Sequence, residues 1–215
     1  QMWLEYEILS KPEAAGYFCL TTSYRMEPNP VPGRHDVIFP MFEFEFKGDM
    51  QELMELQKEL LVHLGYDSSN FYVNNYKAIA EEFWTTELEH EHEEKLYTDK
   101  SSVAFITDFP EFTSPFWNMR RNPNDDTSYK VDVILSGMET FGSAERENDK
   151  DVMRAKFESI MEGSYKNKLF ELFGEDRTRA ELDEYLELNF IKRSGCGIGL
   201  TRLIKSMEKE GLLKD

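Results

Sequence analysis

The sequence predicts an α+β domain, an antiparallel β-sheet flanked by helices, and three observations carry that prediction. Tyr17 to Glu27 and a returning run that ends Phe42-Glu43-Phe44-Glu45-Phe46 flank Pro28, Asn29, Pro30, Pro32 and Gly33, the pattern of an antiparallel hairpin with a long, stiffened loop. Strand-like runs recur at Val103 to Phe109 and Tyr129 to Ser136, set among segments of helical period. Near the end, Gly195-Cys196-Gly197-Ile198-Gly199 runs straight into the apolar-periodic segment Leu203 to Met207, a strand followed by a helix.

Taken in order, Gln1 to Leu9 reads as a short amphipathic helix with Trp3, Leu4 and Ile8 inward, ended before Pro12. In the hairpin's second strand, a period of two puts Phe42, Phe44 and Phe46 on one face and Glu43 and Glu45 on the other. Arg25 and Glu27, also two apart, share a face. With Arg34 and His35 overhanging it, this surface suits a ligand bearing phosphates at one end and an ammonium at the other; an amphipathic hairpin with a solvated polar face reads the same residues without a ligand. Asp49 can N-cap a helix running to Leu64, with Leu53, Leu56, Leu60 and Leu61 as its apolar stripe. Tyr76 to Leu96 reads as helical. Its His90 and His92 point in different directions on a helix, so this segment is expected to be a solvated acidic face and not a metal site. Arg120 to Ser128 is a turn-rich surface loop. In the strand Tyr129 to Ser136, Val131, Val133 and Leu135 share a face. Asp149 to Met161, Tyr165 to Phe173 and Arg179 to Leu188 read as packing helices, with Gly163 and Gly174 as breaks.

Composition sets limits. A chain of 215 residues predicts one domain large enough for its own core, and 40% hydrophobic with 13% aromatic content is globular rather than disordered. No apolar run approaches the roughly 20 residues that cross a bilayer, and the opening is neither a signal nor a transit peptide. Cys19 and Cys196 lack metal-ligand spacing, so reduced, cytoplasmic cysteines are expected. The net charge of −17, from 25 Lys and Arg against 42 Asp and Glu, argues against a nucleic-acid surface on this segment, because such surfaces draw their affinity from a basic field.

Two motifs carry chemistry. The first is Arg25-Met26-Glu27 followed by Gly33-Arg34-His35, Phe39 and Glu43-Phe44-Glu45; the second is Gly195, Gly197, Gly199 and Arg202, where alternate glycines admit a flat ligand to the backbone. Together they resemble the second and third motifs of class II aminoacyl-tRNA synthetase catalytic cores, in the aspartate, asparagine and lysine branch. Asp108-Phe109-Pro110 with Pro115 to Met119, and Glu139 to Glu147, are similar to that branch's intervening strands, and all four matches fall in the family's order.

The resemblance implies a class II synthetase-like sheet and a set of roles. ATP would lie with its adenine between Phe39 and Arg202 and close to Gly199, Glu27 would receive the adenine amino group, and Arg34 and His35 would meet the outer phosphates. Arg25 would bridge the α-phosphate and the amino acid, Glu43 would take the α-ammonium, and Gln1 would also contact the amino acid. Glu139 would ligate Mg2+. A hydroxyl often assists three residues later, where this chain has Gly142, with Ser143 beside it as the expected second ligand. Arg146 would contact the side-chain carboxylate or amide oxygen of aspartate or asparagine, and it argues against lysine. Ile38 and Thr201 stand where relatives commonly carry acidic residues. Gln1 lacks the family's preceding Ser-Pro, and the family's first motif, which builds its homodimer, is absent, so an N-terminal portion is expected to be missing. The acidic balance favours an asparagine synthetase-like enzyme in which ammonia attacks activated aspartate. A core that loads aspartate or asparagine onto tRNA is the alternative, and a non-catalytic binding module is a further one.

Overall fold

The computed structural model describes residues 2–25 and 30–213. Gln1 and Glu27, both expected in the site, lie outside the described residues. Helix α1 (Met2–Ser10) leads to the hairpin β1 (Gly16–Tyr24) and β2 (Ile38–Phe46), then α2 (Met50–His63). Strand β3 (Tyr72–Asn75), α3 (Tyr76–Glu82), α4 (His90–Asp99), β4 (Val103–Pro110), β5 (Thr127–Leu135) and β6 (Met138–Glu145) follow. Helices α5 (Lys150–Ser159), α6 (Ser164–Phe173) and α7 (Glu175–Leu186) precede β7 (Ser194–Gly199) and α8 (Leu200–Lys209). Among the described residues the strands form one seven-stranded sheet, ordered β1-β2-β7-β6-β5-β4-β3 and antiparallel except where β3 joins β4.

The alternation in β2 decides which face is which. Phe42, Phe44 and Phe46 turn toward α2 and α8, where Leu53, Leu61 and Leu203 meet Phe105, Val131, Val133, Phe141 and Ile198 in the largest core cluster. The other face is covered toward β4 by α3 and α4, through Tyr76, Ile79 and Leu96 on Ala104, Ile106 and Ile134. Beyond the sheet's end, Trp117 collects α5 and α7 through Met153, Phe157, Leu182 and Leu186. Between these two covers the face stays open, and the site lies there.

Capping follows the sequence. Asp49 accepts hydrogen bonds from the backbone N–H groups of Gln51 and Glu52, and Glu52 reaches back to the Asp49 N–H, a capping box. Gly163 and Gly174, at φ of 81° and 88°, separate α5, α6 and α7 as expected.

Several sequence expectations change. Trp3, expected inward, is 79% exposed, and α1 buries Leu4, Glu5, Ile8 and Leu9 instead. Leu56 is 40% exposed and Gln57 is buried instead, because the covered face of α2 runs through Leu53, Gln57, Leu60 and Leu61. The segment from Tyr76 to Leu96 is two helices. Trp84 takes a left-handed φ of 56°, and the Thr85 N–H closes the turn on the Ala80 carbonyl. Helix α4 then restarts with the His92 Nδ1 accepting from the Glu89 N–H. His92 is buried and stacks on Phe83, so this part of the acidic segment is core. No described helix is long and apolar enough to cross a membrane.

Leu53 is fully buried near the start of α2. Leu53→Ala is expected to cost about 2–5 kcal/mol of unfolding free energy in urea melts, whereas Leu56→Ala stays within about 1 kcal/mol.

Candidate functional site

The open face is a trough floored by glycine. Cross-strand register places Met41, Glu43 and Glu45 of β2 opposite Gly199, Gly197 and Gly195 of β7. Gly197 and Gly195 in turn pair with Gly142 and Ala144 of β6, and those two face Asp132 and Lys130 of β5. Paired residues share a face, so an almost bare backbone strip runs between a wall on β2 and a wall on β5.

A bulge in β6 determines what lines this strip. Val133 pairs with Phe141 but Ile134 pairs with Glu139, which leaves Thr140 as an extra residue. Glu139 is thereby moved onto the trough face with Gly142, while Phe141, Ser143 and Glu145 face α2. A Cβ on Gly142 would lie 3.4 Å from Glu139 Oε1 and 3.9 Å from Asp132 Oδ1. Ser143 is therefore not beside Glu139. It is buried on the far face, donating to the Val131 carbonyl at 2.7 Å and accepting from Gln57 Nε2 at 2.8 Å. The expected second metal ligand is corrected on that geometry, and the acid that shares the space over Gly142 with Glu139 is Asp132.

At the hairpin end, Arg25, Arg34, His35, Phe39, Glu43, Glu139 and Arg202 line one cavity of about 230 Å3. Gly199, Gly197, Gly142 and Thr140 form its floor. The Arg25 guanidinium lies 5.5 Å from the centre of the Phe39 ring. Arg202 donates to the Glu139 carbonyl at 2.5 Å and to the Arg34 carbonyl at 3.1 Å, which ties the loop to β6. Burial lowers the Arg202 pKa, with Glu139 opposing the shift and Arg34 adding to it. Arg34 is paired with Glu93 of α4 and donates to the Gly137 carbonyl at 3.2 Å. His35 Nδ1 accepts from the Val31 N–H at 3.1 Å, inside the loop. Glu43 lies 3.4 Å from Thr21 Oγ1 and 3.8 Å from Cys19 Sγ on β1.

The other end of the trough is closed by charge. Gly195 has no side chain, and a Cβ there would fall within the Glu45 carboxylate, so Glu45 lies across β7 to meet Arg146. Arg146 donates to Glu45 Oε1 through Nε at 3.1 Å and Nη2 at 2.5 Å, and its Nε is 3.8 Å from Glu5 of α1. Glu5 also accepts from Arg193 at 2.8 and 3.2 Å, from Tyr185 at 3.0 Å and from Asn118 at 2.6 Å. Glu5, Glu45, Arg146 and Arg193 are each at most 2% exposed. Arg146 is therefore on the trough face, as expected of a substrate contact, but it is not in the cavity lining. Its fork is occupied by Glu45, a carboxylate expected only on a polar strand face.

Sequence reading missed Asp132, Lys130 and Glu93. The signal for the first two was present: Lys130 and Asp132 are charged groups two apart, interleaved with the apolar Val131, Val133, Ile134 and Leu135, and so mark a polar face on a buried strand. Asp132 is 5% exposed, one oxygen takes the Lys130 ammonium, and Oδ1 has no hydrogen-bond partner among the described residues. Burial raises its carboxyl to about 7, with Lys130 opposing and Glu139 reinforcing. Glu93 accepts from the Glu139 N–H at 2.7 Å and is shifted upward by burial, against the pull of Arg34.

With this geometry in place, comparison with known proteins identifies the architecture. The family described as tRNA synthetases class II (D, K and N) matches residues 1–215. The chain belongs to it. An asparagine–tRNA ligase of Rhodopirellula baltica is 25% identical over 175 residues, which is 79% of this chain and 32% of that protein. A mitochondrial asparagine–tRNA ligase of Saccharomyces cerevisiae is 29% identical over 137 residues, 61% of this chain and 25% of that one. The chain thus spans a third or less of these relatives. Among solved structures, asparaginyl-tRNA synthetase of Pyrococcus horikoshii with asparaginyl-adenylate superposes with a TM-score of 0.74 at 20% identity, covering 97% of this chain and 52% of that one. The Entamoeba histolytica asparaginyl-tRNA synthetase in complex with asparaginyl-adenylate gives 0.78 at 17% identity, covering 98% of this chain and 52% of that one. These likenesses establish a class II synthetase fold.

The closed end of this class II core has a pH signature. Burial raises Glu45 from 4.5 to about 7, with Arg146 opposing and Glu5 reinforcing. Between those values the folded chain keeps a proton that the unfolded chain has released, so stability is highest below the window and falls as pH rises through it. Unfolding free energy is expected to drop between pH 5 and 7.5 with a slope of at most about 1.4 kcal/mol per unit from this group, and Glu45→Gln is expected to flatten the slope.

Proposed function

We propose that this chain is the amino-acid-activating core of an asparagine–tRNA ligase, forming asparaginyl-adenylate from ATP and asparagine. The supporting observation is the closed end of the trough, where Arg146 is already matched by Glu45, and Glu5 by Arg193. Above the pH window in which Glu45 releases its proton, two buried cations against two buried anions among the described residues leave no surplus positive charge for an incoming carboxylate, whose burial unpaired is costly. A neutral carboxamide suits the pair: its oxygen accepts from Arg146 and its NH2 donates to Glu45. The relatives reported above, both asparagine–tRNA ligases, point the same way.

The adenosine end follows from the cavity. Phe39 and Arg202 offer two flat faces for a purine, with Arg25 leaving its place over Phe39 for the α-phosphate. The alternating glycines let the nucleotide approach the sheet backbone. Glu43 receives the α-ammonium. The α-carboxylate oxygen attacks the α-phosphorus in line and pyrophosphate leaves, a reaction that asks for positioning and charge neutralisation and for no protein nucleophile. Glu139 and the Asp132 oxygen that has no partner among the described residues fit a hard divalent cation, and Mg2+ held by them would offset phosphate charge. Transfer to a tRNA hydroxyl is assigned to the whole ligase. The net charge of −17 gives this segment little attraction for nucleic acid.

Ammonia-dependent amide formation, the reading that the acidic composition favours, is the competing outcome, and the comparisons favour the tRNA ligase over it. The test supplies Mg2+, ATP and either amino acid. Exchange between pyrophosphate and ATP is expected with asparagine and at least about tenfold less with aspartate. Arg202→Ala is expected to reduce it by about 10²-fold or more. Release of AMP and asparagine from aspartate and ammonium would overturn this reading.

A further inference from the structure

We propose that Lys130 is a tethered ammonium that neutralises one oxygen of Asp132 and so weakens divalent-ion uptake by Asp132 and Glu139. The proposal rests on the adenylate-forming reading above and adds a residue which that chemistry does not require.

Lys130 and Asp132 are two apart on β5 and project from one face. The Lys130 ammonium is ion-paired with Asp132 Oδ2. It also lies 3.6 Å from the centre of the Phe109 ring on β4, a contact that holds it in place and shields it from water. The Lys130 side chain is 21% exposed and that of Asp132 7%. The second oxygen, Oδ1, is buried without a partner among the described residues. Oδ1 and Glu139 Oε1 both come within 4 Å of the point where Gly142 would carry a Cβ, at 3.9 and 3.4 Å, and Gly142 leaves that space open.

One Asp132 oxygen is thus neutralised by the protein's own cation while the other, like Glu139, borders the space that Gly142 leaves open. A divalent ion entering between them gains two oxygens and is repelled by an ammonium on the far side of the same carboxylate. Among the described residues the trough therefore offers a partial site, to be completed by phosphate oxygens arriving with the nucleotide.

The experiment measures Mn2+ binding to the full chain by calorimetry, without nucleotide. Lys130→Met is expected to bind Mn2+ about tenfold more tightly than the parent, from loss of the neighbouring like charge. Lys130→Arg is expected to match the parent. Lys130→Gln, which can still hydrogen-bond Asp132, serves as a second neutral variant should the Met variant fail to melt cooperatively. Asp132→Asn added to the neutral variant is expected to abolish the gain. Parent and neutral variants binding Mn2+ equally would overturn the role of Lys130 and leave the adenylate reading intact. No Mn2+ binding by any of them, with or without ATP, would overturn the cation site and the proposal together.

Discussion

The constraint on which the site depends is the buried set of charges at the closed end of the trough. Glu5 comes from α1, Glu45 from β2, Arg146 from just beyond β6 and Arg193 from just before β7. Each ion would cost several kcal/mol to bury alone, so the four are tolerable only as a set with their hydrogen bonds made. Tyr185 and Asn118 complete the bonding of Glu5 and bring α7 and the loop after β4 into the same arrangement. Elements distant in sequence are thereby held in one register at the point where a small substrate would end.

The glycines make that arrangement possible. A side chain at Gly195 would displace the Glu45 carboxylate, and one at Gly142 would crowd Glu139. The bulge at Thr140 does the complementary work by turning Glu139 into the trough while keeping Phe141 in the core. A strip of backbone with one extra residue in one strand accounts for most of the site's shape.

Much of this was legible in the sequence. The Phe and Glu alternation of β2 fixed which face is core, the Pro and Gly cluster marked the loop, and the alternate glycines before Arg202 marked the floor. Arg25, Arg34, His35, Phe39, Glu43, Glu139 and Arg202 do converge on one cavity. What sequence could not supply was cross-strand information. Ser143 looked available to Glu139 because a bulge leaves no mark in a single strand's pattern. Arg146 looked like an open donor because its partner Glu45 is 101 residues away. The split between α3 and α4 was hidden because the connecting stretch carries no Gly or Pro and its turn depends on Trp84 in a left-handed conformation.

The account's central claim is that one trough holds adenosine at the Phe39 and Arg202 end and a carboxamide side chain at the Arg146 and Glu45 end. The measurement that tests it most directly is a crystal structure of the chain with a non-hydrolysable asparaginyl-adenylate analogue. The predicted result has the purine between Phe39 and Arg202, the ammonium on Glu43, and the carboxamide bonded to Arg146 and Glu45. An analogue bound with its side chain away from Arg146, or with its purine outside the cavity, would contradict the claim.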